Sequence, residues 1–370
     1  MVEPAVCDDA DRRYMAAAIR LSRWHLGLTA ENPSVGSLVV APDGTVVGRG
    51  VTSRGGRPHA EIRALEEAGE RARGATVYAT LEPCSHIGRA PPCADAIVAS
   101  GAARVVIATL DPDPRVAGRG VSILRRGGLE VVSGCMEREA RRAMQGFLSL
   151  KGRGRPWLTL KLAVSADGCL GRKGAGQVPI TGSLARSAVQ AMRLEHEAIM
   201  VGVGTVMEDD PLLTVRLPGL EARSPVRIVI DPFARMSPAS RMLAEGVPAR
   251  TVVLVSGKAP TYAVQALRDA GAEIHTVASD YRGRFQPREI LRALGLLGIK
   301  SVLLEGGAET AARFLESGLV DRIALFSGQG VVGEGGIASP VTAEAVPAGY
   351  ARMAEHRYGD DRLLEFERQD

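Results

Sequence analysis

The sequence predicts two α/β domains in tandem, and three observations predict them. At 370 residues the chain is long for one hydrophobic core, so two cores are expected. In both halves, short β-rich runs alternate with stretches of helical periodicity, the pattern of layered α/β architecture. Between the halves lies Lys151-Gly152-Arg153-Gly154-Arg155-Pro156, a basic, glycine-rich break read as a solvated linker. The domains are accordingly placed at residues 1–150 and 151–370.

In the first half, Met15, Ala18, Ile19, Leu21 and Trp24 recur at helical spacing from Asp9 to Leu26, with Asp8 or Asp9 as cap. After the turn Glu31-Asn32-Pro33-Ser34, strands at 35–40 and 45–50 flank the turn Pro42-Asp43-Gly44 and form a hairpin. A helix from His59 to about Ala72 has Ile62, Leu65 and Ala68 on its inner face. Val77–Leu81 is a strand delivering Glu82-Pro83-Cys84. Pro91-Pro92 starts a helix from Cys93 to Ser100, ended by Gly101. Val105–Thr109 is a buried strand leading into the rigid loop Asp111-Pro112-Asp113-Pro114, near which substrate would lie. A helix at 118–128, a strand at 129–132 and a closing helix at 137–150 complete an α/β/α layered domain.

Three residues of this domain have the chemistry of a catalytic zinc site. His59, Cys84 and Cys93 give one imidazole and two thiols, and three protein ligands rather than four leave a position open. A water there, acidified by the metal, becomes a nucleophile near neutral pH. Glu61, two residues from His59, is placed to take the water's proton and pass it to a leaving amine. Both residues reach one water only from the first turn of a helix, where the dipole also favours an anion. Cys93 at a second helix start gains the same stabilisation as thiolate. A closed structural site would need a fourth ligand, for which His86 in the intervening loop is the nearby candidate.

The run HAEIRALEEAGERARGATVYATLEPCSHIGRAPPC resembles the deaminase half of the bifunctional riboflavin-biosynthesis deaminase/reductases. The resemblance implies a cytidine-deaminase-like fold for this half and a substrate-side role for His86. Asn32, Pro33, Val35 and Gly36 match the family's Asn-Pro-x-Val-Gly segment, which implies that Asn32 faces the substrate; as a residue alone it is equally a turn-former.

The second half reads as strands at 157–164, 198–203, 225–231, 251–255, 274–277, 301–305 and 323–326, with helices at 183–195 and 310–316 among them. The turn Ser165-Ala166-Asp167-Gly168 follows the first strand. The GxGxxG fingerprint is absent, because Gly202-Val203-Gly204 lacks its third glycine. Glu305-Gly306-Gly307, after a strand and before a helix, is a weaker phosphate-binding signal, since glycine turns there also arise for steric reasons. LKLAVSADG, ITG, GVGTVMEDDPLLTVR and VLLEGGAE look like the ordered motifs of the family's reductase domain, which implies a dihydrofolate-reductase-like fold.

By that resemblance Ala163, Thr205, Asp209 and the turn from Gly307 lie near NADPH, and Arg193, Leu213, Arg216 and Glu305 near a phosphoribosyl substrate. Arginine forks suit a sugar phosphate, although any one Arg alone reads as a surface charge. Lys161 is the candidate to polarise or protonate the reacting sugar; the plain alternative is a solvent-facing strand lysine. The chain departs from the family at Gln177-Val178-Pro179, where many members carry Ser-x-Trp before Ile-Thr. Gln177 is expected to replace the serine as a substrate contact, and Pro179 to offer only shape beside the cofactor.

Together the resemblances imply a zinc-dependent deamination of a phosphoribosylaminopyrimidine followed by NADPH-dependent reduction of its ribosyl group. Two other readings are a deaminase of nucleic-acid bases and a deaminase whose second domain only dimerises. Against the first, aromatics are 4% and the formal net charge is only +4, which does not make a stacking platform or a basic track. Hydrophobic residues at 45% and charged at 24% are ordinary for a globular chain. No stretch approaches the roughly eighteen apolar residues of a membrane span. Five scattered cysteines do not make a disulfide framework, and Met1 to Arg13 has no apolar signal core, so a reducing cytoplasm is expected. The expected partners are the small-molecule substrate and a second copy of the chain, through the reductase domain; neither nucleic acid nor membrane is expected.

Overall fold

The computed structural model describes residues 7–86, 91–113 and 117–369. The chain forms two compact units, Met1–Gly154 and Arg155–Asp370. In the first, the elements in order are α1 (Asp9–Ser22), β1 (Gly36–Val40), β2 (Val46–Val51), α2 (Ala60–Ala68), β3 (Thr76–Ala79), α3 (Cys93–Ala99), β4 (Arg104–Ile107), α4 (Arg119–Arg126), β5 (Glu130–Ser133), α5 (Glu137–Ala143) and α6 (Gln145–Arg153). The sheet order is β2-β1-β3-β4-β5. β1 pairs antiparallel with β2 and β3, and β3, β4 and β5 run parallel.

The strand pleat divides this unit's apolar residues into two cores, because successive side chains point to opposite faces. Leu38, Val40, Tyr78, Val106 and Val132 face α1, α5 and α6, meeting Met15, Ile19, Ala140 and Phe147. Val39, Val77, Val105, Ile107 and Val131 face the other way, onto Ala64, Ala68, Ala94, Ile97 and Leu124 of α2, α3 and α4. The α/β/α layering follows from that alternation.

The packing of α2 on β2 is unusually close. A Cβ on Gly48 would lie 2.1 Å from the Ala64 carbonyl oxygen, and one on Gly50 2.0 Å from that of Ala60. Only alanines fit on the facing side, so the inner face is Ala60, Ala64 and Ala68, while Ile62 and Leu65, expected there, are half-buried. The first helix is also shorter than expected. The Ser22 carbonyl accepts from the Ser34 hydroxyl, the chain tightens into a 3₁₀ turn at Arg23–His25, and Trp24 is 66% exposed rather than inward. The closing helix breaks at Met144 (φ −114°) into α5 and α6. Cys7 and Cys135, 128 residues apart, form a disulfide, a pairing that was not expected. The cysteines meet because the start of α1 and the β5–α5 connection share one core. Met1–Val6 and Pro114, the end of the proline-rich loop, lie outside the described residues.

The second unit contains β6 (Trp157–Val164), β7 (Cys169–Arg172), α7 (Ser183–Glu195), β8 (Ala198–Gly202), α8 (Val203–Asp209), β9 (Val226–Ile230), β10 (Thr251–Val255), α9 (Thr261–Asp269), β11 (Glu273–Thr276), α10 (Pro287–Leu296), β12 (Ser301–Leu304), α11 (Ala308–Glu316), β13 (Arg322–Ser327), β14 (Gly336–Ala338), β15 (Tyr350–Tyr358) and β16 (Asp361–Arg368). Nine strands form one sheet in the order β11-β10-β9-β8-β12-β6-β13-β16-β15. It is parallel from β11 to β13 and closes with antiparallel β16 and β15. Its central strands are apolar runs buried on both faces, as parallel sheets require.

On one face Leu158, Leu160, Leu162 and Val164 join a single large core. The other face has two separate apolar patches, one around Ile199, Val229 and Val253, the other around Ala324, Phe326 and Leu363. Between them β6 presents Thr159, Lys161 and Ala163, so a polar seam interrupts the core there. The presumed linker is only partly one: α6 extends to Arg153, the turn is at Gly154 (φ 65°), and Arg155 forms a two-bond ion pair with Asp321 at 2.7 Å. Asp321 also accepts from the Leu158 amide, which ties that end of the hexapeptide into the second unit.

Replacing Gly50 by Ala is expected to destabilise the first unit by about 1–3 kcal/mol, the usual effect of overpacking. Deamination should fall with it, because the displaced atom belongs to the first turn of α2. Thermal unfolding and deaminase assays of Gly50→Ala check this; an unchanged melting temperature would refute the close approach.

Candidate active sites

In the first unit, β2 leads to His59, which is the N-cap residue of α2 and makes no side-chain capping bond. Its ring is therefore available. Cys84 follows β3, and Cys93 opens α3. His59 Nδ1 lies 3.6 Å from Cys84 Sγ and 3.3 Å from Cys93 Sγ, and the three ligand atoms are all within 4.8 Å of one another. A tetrahedral zinc, with bonds of about 2.3 Å to sulfur and 2.0–2.1 Å to nitrogen, spaces such atoms about 3.6–3.8 Å apart. The residues fit the metal. The Cys93 amide donates to Cys84 Sγ at 3.3 Å and the Ala94 amide to the Cys84 carbonyl, so the start of α3 holds the Cys84 loop.

Glu61 sits in the first turn of α2, 3% exposed. Burial pushes its carboxyl up to about 7, against the pull of His59. The hydrogen bond from Cys93 draws the Cys84 thiol down to about 4, with His59 assisting, and the same bond pushes Cys93 up.

Asn32 is half-buried, its amide against the backbone of Gly56, where a Cβ would come within 2.3 Å. His86 is exposed two residues beyond Cys84. One residue was overlooked in the sequence: Glu82, buried and hydrogen-bonded to three backbone amides. Its signal, a carboxylate two residues from a ligand, was present but indistinguishable from a loop acid.

In the second unit the polar seam contains a buried ion pair. Arg193 of α7 donates from Nε and Nη2 to the two oxygens of Glu305, at 2.8 and 3.0 Å, and from Nη1 to the Thr214 carbonyl at 2.8 Å. Burial works against the Glu305 anion, yet Arg193 and then Lys161 hold it down to about 2. Lys161 is half-buried, with Nζ 5.9 Å from the centre of the Phe326 ring. Burial lowers its pKa and Arg193 adds to that, with Glu305 opposing. His196 completes the seam, held between the Met192 carbonyl and the Thr159 hydroxyl, and burial keeps it neutral-favouring.

Beside the seam, the turns after β8 and β12 face each other. A Cβ on Gly202 would lie 2.6 Å from Thr310 Oγ1, and one on Gly307 3.4 Å from Thr205 Oγ1. Gly307 is the N-cap residue of α11 and offers no side-chain cap, leaving first-turn amides for an anion. That cradle fits a dinucleotide phosphate. Asp209 ends α8, half-buried, and burial raises its carboxyl. Leu213 is buried with φ 53°, and the exposed Arg216 is held through its amide by Gln190 Oε1 at 2.9 Å. Ala163 on β6 stands opposite Phe326 of β13. Gln177 and Pro179 are exposed, in a loop fastened by Glu208 Oε1, which accepts from the Gly174 and Gly176 amides at 2.6 and 3.4 Å.

Residues 8–109 match the cytidine and deoxycytidylate deaminase zinc-binding region, and residues 156–358 match the RibD C-terminal domain. The chain is 41% identical to the riboflavin biosynthesis protein RibD of Aquifex aeolicus, covering 88% of this chain and 89% of the relative. It is 38% identical to that of Escherichia coli, covering 85% and 87%. Among solved structures, Acinetobacter baumannii RibD superposes with a TM-score of 0.83 at 34% identity, over 98% of this chain and 99% of the other. A diaminohydroxyphosphoribosylaminopyrimidine deaminase/5-amino-6-(5-phosphoribosylamino)uracil reductase of Thermotoga maritima gives the same score and identity, over 96% and 98%. No helix among the described residues is long and apolar enough to cross a membrane. With a deaminase zinc region in one unit and a reductase domain in the other, the chain belongs to the RibD family of bifunctional deaminase/reductases of riboflavin biosynthesis.

Proposed function

We propose that residues 1–150 deaminate 2,5-diamino-6-(5-phosphoribosylamino)pyrimidin-4-one and that residues 151–370 reduce the ribosyl group of the product to ribityl. The observation that carries this reading is the convergence of His59 Nδ1, Cys84 Sγ and Cys93 Sγ at zinc-ligand spacing beside the buried Glu61. Zinc, when bound, acidifies the attacking water. Glu61 takes a proton from that water as the oxygen bonds to the ring carbon carrying the amine. It then returns the proton to the amine nitrogen as the C–N bond breaks and ammonia leaves. Asn32 and His86 face the pyrimidine and fix its orientation.

In the second unit, Ala163, Pro179, Thr205, Asp209 and Gly307 form the cofactor side, and Gln177, Arg193, Leu213, Arg216 and Glu305 the substrate side. NADPH, when bound, supplies hydride to the anomeric carbon. Lys161 hands a proton to the ring oxygen as the sugar opens, a role its lowered pKa favours. Arg193 is held by Glu305, so it shapes the site, and Arg216 is the fork left for the phosphate. A homodimer through the reductase unit is supported by β15, whose outer edge ends the nine-stranded sheet. The enzyme works in the cytoplasm, a reading that the scarcity of cysteine supports.

Product masses test the whole reading. Zinc-loaded protein given the phosphoribosylamino-diaminopyrimidine should exchange an amine for oxygen without NADPH, and gain two hydrogens when it is added. Deamination alone under both conditions would overturn the reductase half. Glu61→Gln should keep zinc and lose deamination by orders of magnitude while still reducing pre-deaminated substrate; retained deamination removes Glu61 from the mechanism. Glu305→Gln should cost about 3–5 kcal/mol by stranding buried Arg193. Because the Glu305 pKa is depressed when folded, its stabilisation is present above the ordinary glutamate range and is lost as pH falls toward about 2. Denaturant unfolding between neutral and acid pH should therefore lose a component in this variant; identical pH slopes would count against the pair.

A further inference from the structure

Among the described residues no cation contacts Glu82, yet the residue is only 3% exposed. Among the described residues its hydrogen-bond donors are all backbone amides. Oε2 accepts from the Asp111 amide at 3.2 Å and the Gly118 amide at 3.0 Å, and Oε1 accepts from the Val121 amide at 3.2 Å. Gly118 is the N-cap residue of α4 and has no side chain to cap with. Glu82 thus supplies, from a segment 36 residues away, the anion that this helix start favours. Its own amide donates to the Thr109 carbonyl, so backbone and side chain both engage the segment after β4. The fit is close on the helix side too: a Cβ on Gly120 would lie 2.2 Å from the Pro83 carbonyl oxygen and 3.1 Å from Glu82 Oε1.

Glu82 is two residues before Cys84, with only Pro83 between. Proline fixes its own φ and restricts the residue before it. Little freedom therefore separates the anchored carboxylate from the ligand sulfur. On the other side of Cys84 the start of α3 holds its carbonyl and sulfur. We propose that Glu82 is a positioning residue for zinc: by locking the Pro83–Cys84 turn onto α4, it sets where the Cys84 thiolate stands relative to His59 and Cys93. This rests on the zinc assignment above. It also links the metal loop to Asp111, so the loop after β4 and the ligand Cys84 share one anchor.

The test uses the full-length zinc-loaded chain. In Glu82→Gln the amide presents an NH₂ where one oxygen accepted, so one backbone N–H loses its acceptor while shape is nearly unchanged. Zinc release to a chromogenic chelator should accelerate by about 10–100-fold, as is usual when a ligand's support is removed. With cobalt in place of zinc, the thiolate-to-metal absorption band should shift. Glu82→Asp, which restores the charge one methylene short, should recover part of both. Gly120→Ala keeps the carboxylate but pushes on Pro83, and should also speed release; it decides the matter if Glu82→Gln does not fold. Unchanged release and an unchanged cobalt band in both variants, with only a lower melting temperature, would make Glu82 a helix cap and nothing more. A wild-type chain that holds no zinc would instead overturn the zinc assignment.

Discussion

Both sites depend on one constraint: parallel strands deliver their carboxyl ends to the same edge of a sheet. In the first unit β3 and β4 run in parallel, so the segments leaving them, Glu82 to Cys84 and Ala108 to Asp113, emerge side by side. In the second, β6, β8 and β12 are parallel neighbours. Lys161 within β6 and Glu305 directly after β12 are then placed side by side by pairing alone. Ligand sites in open α/β sheets gather at such edges for this reason. Residues far apart in sequence, such as Arg193 and Glu305 at a separation of 112, meet without any local motif.

What the edge assembles still has to be held at the right height, and the two units do it differently. The first uses backbone. α2 is pressed onto β2 until only Gly48, Gly50 and an alanine face fit, which fixes the height of His59 and Glu61 relative to the strands. Helix starts and the Glu82 carboxylate fix the Cys84 turn by amide hydrogen bonds. The second uses charge. A buried Arg–carboxylate pair is costly to break, and here it is closed on itself with Thr214 as a third partner. That arrangement sets the field around Lys161: Glu305 favours its ammonium, while Arg193 and burial favour the amine. A lysine so placed gives up its proton more readily than a solvent-facing strand lysine, because burial lowers its pKa.

The legibility of each part in the sequence follows from range. His59, Glu61, Cys84 and Cys93 were readable because each lies at a local boundary, a helix start or a strand end, and their chemical types are rare. Strands β6 and β10 and helix α7 were readable to the residue because they are buried runs or strongly periodic. The α2 face was misread because hydrophobicity ranks Ile62 and Leu65 above Ala60 and Ala64, whereas the glycines of β2 leave room only for alanine. The C-terminal strands escaped because β15 is an edge strand, with Arg352, Glu355 and Arg357 on a largely exposed ribbon and no clean alternation. Arg155 looked like a linker charge; only the fold brings Asp321, 166 residues on, to meet it.

The loop that departs from the family pattern is best understood from its anchors rather than from its contacts. Gln177 and Pro179 are exposed, and the chain before them is tied by Glu208 to α8 through the Gly174 and Gly176 amides. After them, Ile180 lies against Gly328, where a Cβ would come within 2.0 Å of the Ile180 carbonyl oxygen. Both ends of the segment are thus set by backbone contacts that do not require a serine or a tryptophan. A loop so held keeps its path when its exposed side chains change. Replacement of Ser-x-Trp by Gln-Val-Pro then alters the side chains that the loop presents, not where it runs. The ion pair, the lysine and the glycine cradle behind it are built from other strands and do not depend on its composition.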